Sequence, residues 1–190
     1  MNRLILNSFF AVVFVASLVI PVPNGLAQWP DRHGPTQNGV VATDDVDGLP
    51  VHWSETENVA WKTALHDEGH SSPVIGDGKV WLTTATSDGK QQFVIAIDEQ
   101  SGAILHDRLL FENDEVEELG GAVGFNNYAA PSCVLGPGAV YVHFGSYGTA
   151  KLDAETAEVI WQRRDLPCRH FRGPGSSPVL HGNKLVLPFD

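Results

Sequence analysis

The sequence predicts an all-β chain that forms part of a β-propeller with four-stranded antiparallel blades. A Ser-x-Val pattern starts at Ser72 and returns at Ser132 and Ser177, and each copy runs through a glycine-containing turn into a second apolar run. Short β-type runs separated by turn residues follow one another, and no segment keeps an apolar stripe at helical spacing. Repeats of four strands are typical of propeller blades. We expect about two and a half blades and one N-terminal closing strand.

The first two copies each contain four predicted strands, and the third contains two. Asp77-Gly78 marks the first turn, because glycine reaches positive φ without steric cost. The blades cover approximately residues 70–110, 128–165 and 175–190, the last being incomplete. The predicted strands are 72–75, 79–84, 91–97 and 103–108 in the first copy, 132–135, 139–144, 149–152 and 158–164 in the second, and 177–180 and 184–187 in the third.

Two segments precede the first blade. Residues 58–61 resemble residues 158–161, which end the second blade, so we expect them to form the outer, closing strand of a further blade. The propeller domain is therefore residues 58–190. Residues 28–57 are broken repeatedly by proline and glycine, which predicts an extended lead-in segment.

The N-terminus has the three parts of a secretory signal. A short basic start, an apolar stretch over residues 4–20 and small residues before Gln28 predict a signal peptide over residues 1–27, cleaved after Ala27. A membrane anchor is the alternative; it needs roughly twenty apolar residues in a row, and Asn7 interrupts the stretch. We expect a periplasmic or secreted chain with no transmembrane segment after signal removal.

The formal net charge of −11 argues against nucleic acid as a partner. Five of the eight residues 111–118 are acidic, which is typical of a solvated loop. A calcium site built from Glu112, Asp114 and Glu115 is the alternative, but the segment lacks the glycine and the ligand spacing of a calcium loop. The eight histidines are dispersed without a pair at metal-ligand spacing, so we expect no metal site.

Two cysteines, Cys133 and Cys168, lie 35 positions apart in a chain predicted to enter an oxidising compartment. A disulfide between them would join neighbouring blades. The alternative is two free thiols, one of them buried as a small apolar side chain.

One block of the second copy, residues 151–161, resembles the tryptophan-docking motif of pyrroloquinoline-quinone-type propeller repeats, written A-x-D-x-x-T-G-K-x-x-W. The residues that match this motif in the two copies are Ala96, Asp98, Gly102, Asp153, Thr156 and Trp161. The departures from it are Ser101, His106, Lys151 and Ala157. In that family the Trp packs between neighbouring blades, so the resemblance implies that these residues hold blades together.

Longer runs resemble a group of exported planctomycete-type proteins with propellers of the same kind. The resemblance is carried by WPDRHGPTQNGV, VAWKTAL, VYVHFGSYGTAKLD and RRDLPCRHFRGPGSSPVL, and it spans nearly all of residues 28–190. Quinoprotein dehydrogenases of this family hold pyrroloquinoline quinone against an adjacent Cys-Cys disulfide, with a calcium ion. This chain has no adjacent cysteines, so we expect no catalytic residues and no bound cofactor.

In a propeller, the connections from the outermost strand of one blade to the innermost strand of the next lie on one face, here called the loop face. Polar and aromatic side chains gathered there are suited to binding a ligand or a peptide. The candidate ligand-binding residues are His70, Asn126, Asn127, Tyr128, Arg169, His170 and Arg172. The alternative is that the arginines pair with loop carboxylates and that Asn127 caps a turn.

The sequence therefore favours an exported, non-catalytic propeller scaffold that binds an unknown protein or extracytoplasmic ligand through its loop face. Part of a quinone-dependent oxidoreductase, with pyrroloquinoline quinone and calcium as cofactors, is the first alternative. The second is a fragment of a longer propeller without a function of its own, because the third copy contains only half a blade.

Overall fold

The computed structural model describes residues 28–41, 48–121 and 125–189, and the predicted signal peptide lies outside them. Apart from one 3-10 turn at Gly145–Tyr147, the regular structure of the described residues is β-strand. None of their helical segments is long and apolar enough to cross a membrane. The strands are β1 (Val74–Gly76), β2 (Lys79–Ala85), β3 (Gln91–Asp98), β4 (Ile104–Glu112), β5 (Val134–Gly136), β6 (Ala139–His143), β7 (Thr149–Asp153), β8 (Val159–Arg163), β9 (Val179–His181) and β10 (Lys184–Val186).

Strands that follow one another in the chain pair antiparallel, which confirms the predicted blade architecture. Strands β1 to β4 form blade 1, β5 to β8 form blade 2, and β9 pairs with β10 as the first hairpin of blade 3. This hairpin has the same register in every blade, because Val74, Val134 and Val179 each pair with the residue seven positions later. The repeat in the sequence is a repeat of strand pairing.

The serine of each repeat links neighbouring blades. The backbone N–H of Ser72 donates to Oγ of Ser132 at 2.8 Å, and the N–H of Ser132 donates to Oγ of Ser177 at 2.9 Å. Each of these hydrogen bonds contributes about 1 kcal/mol. They give a physical reason for the recurring serine, namely that it supplies the acceptor for the preceding blade.

The main core lies between blade 1 and blade 2. Trp81, Phe111, Phe144 and Leu152 are at most 2% exposed and belong to one contiguous cluster. The rings of Phe111 and Phe144 meet edge to face with centroids 5.9 Å apart, an arrangement that contributes about 1 kcal/mol beyond the buried area. In the edge strand of blade 2, β8, every residue is exposed.

Two sequence predictions differ from the structure in detail. Residues 58–61 carry no strand, since none of the described sheets offers them a partner, and a segment becomes a strand only through such pairing. Strand β4 extends to Glu112, four residues beyond its predicted end, because Gln91 at the start of β3 pairs with Glu112.

Candidate functional site

The loop face is assembled from two connections that pack on each other: residues 113–121 and 125–133 between β4 and β5, and residues 164–178 between β8 and β9. Asn126 Nδ2 donates a hydrogen bond to the carbonyl of Arg172 at 2.7 Å and a longer one to the carbonyl of Pro174 at 3.4 Å. The N–H of Gly120 donates to the carbonyl of Phe171 at 2.8 Å. Two blades therefore contribute to one continuous surface.

Several predicted site residues stabilise this surface from within. Asn127 Oδ1 accepts a hydrogen bond from the N–H of Ala129 at 3.0 Å, so Asn127 caps a turn. Tyr128 is 6% exposed, and its hydroxyl donates to the carbonyl of Glu117 at 3.1 Å; burial raises the pKa of this hydroxyl. The N–H of His70 donates to the carbonyl of Ala129 at 3.1 Å.

The other predicted residues surround a cavity of about 410 Å³, here called the arginine cavity. It is lined by Arg169, His170 and Arg172, with Phe171 and Pro188 among its apolar walls. The predicted residues in the first connection line a different cavity of about 590 Å³, which involves Asn126, Asn127 and Tyr128. His70 lines neither of these two cavities, so the structure divides the predicted group rather than gathering it.

The three residues of the second connection differ in their partners. Nε of Arg169 is 3.5 Å from a carboxylate oxygen of Glu117, and the Arg169 side chain is 92% exposed, so solvent screens this pair. Nε2 of His170 accepts a hydrogen bond from the N–H of Ser146 at 3.0 Å, which requires the uncharged imidazole. The guanidinium of Arg172 has no hydrogen bond or ion pair with any described residue.

A histidine that the sequence analysis did not single out also lines the arginine cavity. His143 ends β6, is 2% exposed, and has its Nδ1 2.8 Å from Oγ1 of Thr149. Burial, with a smaller contribution from nearby His170, lowers the pKa of His143 to about 4, so the ring is uncharged at neutral pH. The sequence could have pointed to His143 through its departure from the repeat, because the equivalent residue in blade 1 is Thr83.

The docking motif lies at the opposite ends of the strands, in the turns between β3 and β4 and between β7 and β8. In blade 1, Oδ1 of Asp98 accepts from the N–H of Ser101 at 2.7 Å and from its hydroxyl at 2.5 Å. In blade 2, Oδ1 of Asp153 accepts from the same two groups of Thr156 at 2.9 and 3.2 Å. These hydrogen bonds lower the pKa of both carboxyl groups.

An aromatic ring from a preceding segment docks on each turn. The ring of Trp61 lies against Gly102, and its Nε1 donates to the carbonyl of Glu99 at 2.9 Å. The corresponding contact on the blade 2 turn is made by His106, whose Nε2 is 2.9 Å from the carbonyl of Glu155. The motif is thus completed between segments rather than within one copy.

Trp161 completes the motif in the sequence but docks on no described turn. It is 36% exposed, and its ring contacts Tyr141 with centroids 6.3 Å apart.

Cys133 is buried, Cys168 is partly buried, and both thiols are free. Burial raises the pKa of Cys133 to about 12, which makes it an unreactive thiol.

The described residues do not fit the quinone and calcium that the sequence resemblance brings with it. In the part of the chain that the structure describes, no three His, Cys, Asp or Glu side chains come together as metal ligands. The two cysteines lie in different connections and are not adjacent in sequence. The adjacent cysteine pair of a quinoprotein site is therefore missing from these residues.

A family model described as outer membrane protein assembly factor BamB matches residues 25–163. This match covers well over half of the 190 residues and includes both four-stranded blades. The chain belongs to this family. The BamB family therefore accounts for the repeats and for the pyrroloquinoline-quinone-like character of the docking turns. No curated protein matches the chain.

Solved structures similar to this BamB-family chain include three dehydrogenases. A europium-containing methanol dehydrogenase is 14% identical with a TM-score of 0.48, and the match covers 67% of this chain and 21% of that one. A quinohemoprotein alcohol dehydrogenase from Comamonas testosteroni is 20% identical with a TM-score of 0.42, covering 63% and 17%. A quinohemoprotein alcohol dehydrogenase from Pseudomonas putida HK5 is 19% identical with a TM-score of 0.43, covering 66% and 17%. The chain spans about a fifth of their length.

Proposed function

We propose that this BamB-family chain is an exported, non-catalytic scaffold that binds a protein partner through its loop face. The composition of that face carries the proposal. Phe125 and Phe171, one in each connection, are 76% and 64% exposed, and the side chain of Arg169 is 92% exposed. Exposed aromatic and arginine side chains are enriched at protein interfaces and supply most of the binding energy there.

The two connections hold these side chains on a preformed surface. The ring of Phe171 lies over Gly120, and Asn126 bonds to the carbonyl of Arg172 close by in sequence. A surface ordered before binding loses less conformational entropy when the partner arrives. This arrangement supports a role as a binding platform.

Two further observations support a non-catalytic, exported protein. The family description names an assembly factor, which is a role in protein assembly and not an enzymatic one. His143, whose pKa is lowered to about 4, is almost completely buried, and its Nδ1 is paired with the hydroxyl of the equally buried Thr149. Export follows from the predicted signal over residues 1–27 and is part of the proposal.

The proposal is tested by capture of partners with the full chain as bait in an extract of extracytoplasmic proteins. We expect the double substitution Phe125→Ser and Phe171→Ser to reduce capture more than tenfold, since aromatic anchors at interfaces contribute about 2 kcal/mol each. The matched control is Trp53→Ser, which removes a 70% exposed aromatic side chain outside the two connections. Equal capture by the wild type and the double variant would contradict the proposal.

The oxidoreductase alternative has a separate test. The purified chain is mixed with pyrroloquinoline quinone and calcium, and the absorbance of the quinone that remains bound after gel filtration is measured. We expect none to remain bound, because the described residues provide no set of calcium ligands. Binding of one quinone per chain would contradict the scaffold proposal and would favour the oxidoreductase alternative.

A further inference from the structure

The arginine cavity concentrates positive charge in a strongly acidic chain. Four of the twelve lysines and arginines lie within the ten residues 163–172, whereas the whole chain has a formal net charge of −11. Two of the four, Arg169 and Arg172, line the cavity, and none of the described residues that line it is Asp or Glu. An anion repelled by most of the surface therefore meets an attractive field here.

The two arginines outside the cavity are already engaged. Arg163 makes two hydrogen bonds of 2.8 Å to the carboxylate of Asp165. Arg164 donates to the carbonyl of Glu112 at 3.0 Å and also bonds to the side chain of Asn113. Inside the cavity, by contrast, the guanidinium of Arg172 makes no hydrogen bond or ion pair with any residue that the structure describes.

The net charge of the cavity selects the class of anion. His143 is uncharged at neutral pH because its pKa is about 4, and His170 is uncharged in the arrangement where its Nε2 accepts the hydrogen bond from Ser146. Arg169 shares its charge with Glu117 at 3.5 Å. Among the described residues that line the cavity, about one uncompensated positive charge remains, which matches a monoanion such as a carboxylate better than a phosphate dianion.

We infer that the arginine cavity binds a carboxylate group, with Arg172 as its main anchor and Arg169 as a second donor. The planar fork of a guanidinium bonds a carboxylate through two parallel hydrogen bonds. The volume of about 410 Å³ accommodates a group the size of an amino-acid residue, and Phe171 and Pro188 offer apolar walls beside it. The inference rests on the proposed loop-face function, because it names the chemistry that this face recognises.

The first test compares two probes that differ only in charge, N-acetylphenylalanine and N-acetylphenylalaninamide, by isothermal titration of the full chain. We expect the carboxylate probe to bind at least tenfold more tightly, since hydrogen bonds to a charged group contribute about 1.5 to 3 kcal/mol. This comparison needs no substitution and so does not depend on the folding of a variant. Equal binding of the acid and the amide, or no binding of either, overturns the inference.

The second test removes the anchor. Arg172→Gln is expected to weaken binding of N-acetylphenylalanine at least tenfold, whereas Arg163→Gln, which removes an arginine outside the cavity, is expected to leave it unchanged. Equal weakening by both substitutions would show a general effect of charge and would contradict a defined site.

Two further comparisons identify the source of the carboxylate and distinguish failure of this inference from failure of the proposed function. A hexapeptide that ends in phenylalanine is titrated with a free and with an amidated C-terminus; tighter binding of the free peptide than of the free amino acid derivative assigns the carboxylate to the C-terminus of a partner polypeptide. Similar affinities assign it to a small organic acid. If partner capture depends on Phe125 and Phe171 while the carboxylate probes fail, the scaffold stands and the carboxylate inference falls.

Discussion

Blade 1 and blade 2 present the same docking turn, but each departs from the shared motif at different positions. The blade 1 turn closes with Gly102 at φ 73° and receives Trp61, whereas the blade 2 turn closes with Ala157 at φ 56° and receives His106. A Cβ added at Gly102 would lie 2.6 Å from the nearest atom of the Trp61 ring. The blade 2 turn thus combines a smaller ring, His106 of β4, with the larger turn residue, and we predict that these two departures compensate for each other.

The blades differ again in their second strand, at the position two residues after Trp81 in blade 1 and after Tyr141 in blade 2. Blade 1 has Thr83, which is 1% exposed, and blade 2 has His143, which is 2% exposed. A threonine has the same charge at every pH, but a buried histidine must be kept uncharged. Blade 2 therefore carries an acid-sensitive group, next to the arginine cavity, where blade 1 carries none.

The largest expected effect comes from filling the space under Trp61. Gly102→Ala adds a methyl group that meets the indole ring, and it places an L-residue in the left-handed region at about 1 to 2 kcal/mol. Overpacking adds about 1 to 3 kcal/mol. We expect the free energy of unfolding in urea to fall by about 3 kcal/mol.

The reverse substitution in blade 2 is the matched control. Ala157→Gly relieves left-handed strain of about 1 kcal/mol but removes a fully buried methyl group of similar worth. We expect the free energy of unfolding to change by less than about 1 kcal/mol. A loss at Ala157 as large as the loss at Gly102 would mean that the two turns are not packed differently.

The second effect is a loss of stability in acid that originates in blade 2. His143 has a folded pKa of about 4 against an ordinary value of 6.5, so the unfolded chain takes up a proton first as the pH falls. Stability is full above pH 6.5 and decreases towards pH 4, by about 3 kcal/mol in total. Urea unfolding at intervals between pH 7 and pH 4 measures this loss.

His143→Thr, which copies the residue of blade 1, is expected to abolish most of that loss. Other shifted groups act outside this window or at its acid end, where Glu155, whose pKa is lowered from 4.5, begins to lose its contribution. The pKa of His66 is raised by hydrogen bonds to Asp107 and Asp67, so its contribution is present below pH 6.5 and disappears only as the pH rises through the raised pKa. Asp98 and Asp153 have lowered pKa values, so their contributions are lost only below their ordinary pKa. An unchanged acid response in His143→Thr would assign the loss to another group.

The blades could be predicted from the sequence because each strand and turn is specified by residues close together in the chain. Turn glycines and alternating apolar residues fixed the first hairpin of each blade at Val74, Val134 and Val179, and all three share one register. The closing strand was less predictable, since residues 58–61 become a strand only if another sheet pairs with them.

The site was less predictable because its contacts join residues far apart in the chain. Trp61 bonds to a residue 38 positions away and His106 to one 49 positions away, and neither distance appears in the spacing of the motif. Residue type also does not determine exposure, because Tyr128 is only 6% exposed and its hydroxyl donates to a backbone carbonyl, although it lines the larger of the two cavities. Arg169, His170 and Arg172 were predicted as one group, and they do line one cavity.

The smallest expected effect tests whether the two departures at the blade 2 turn, His106 of β4 and Ala157, are coupled. An indole introduced by His106→Trp that docks here as Trp61 docks on Gly102 would meet the methyl group of Ala157, so the single substitution is expected to cost about 1 kcal/mol. Combined with Ala157→Gly, the indole gains the space that Trp61 has over Gly102 and places its N–H near the turn carbonyls. We expect a favourable coupling energy of about 1 kcal/mol in the double-mutant cycle, measured by urea unfolding. Strictly additive effects would show that His106 and Ala157 changed independently, and the docking turns of the two blades would then differ by chance rather than by compensation.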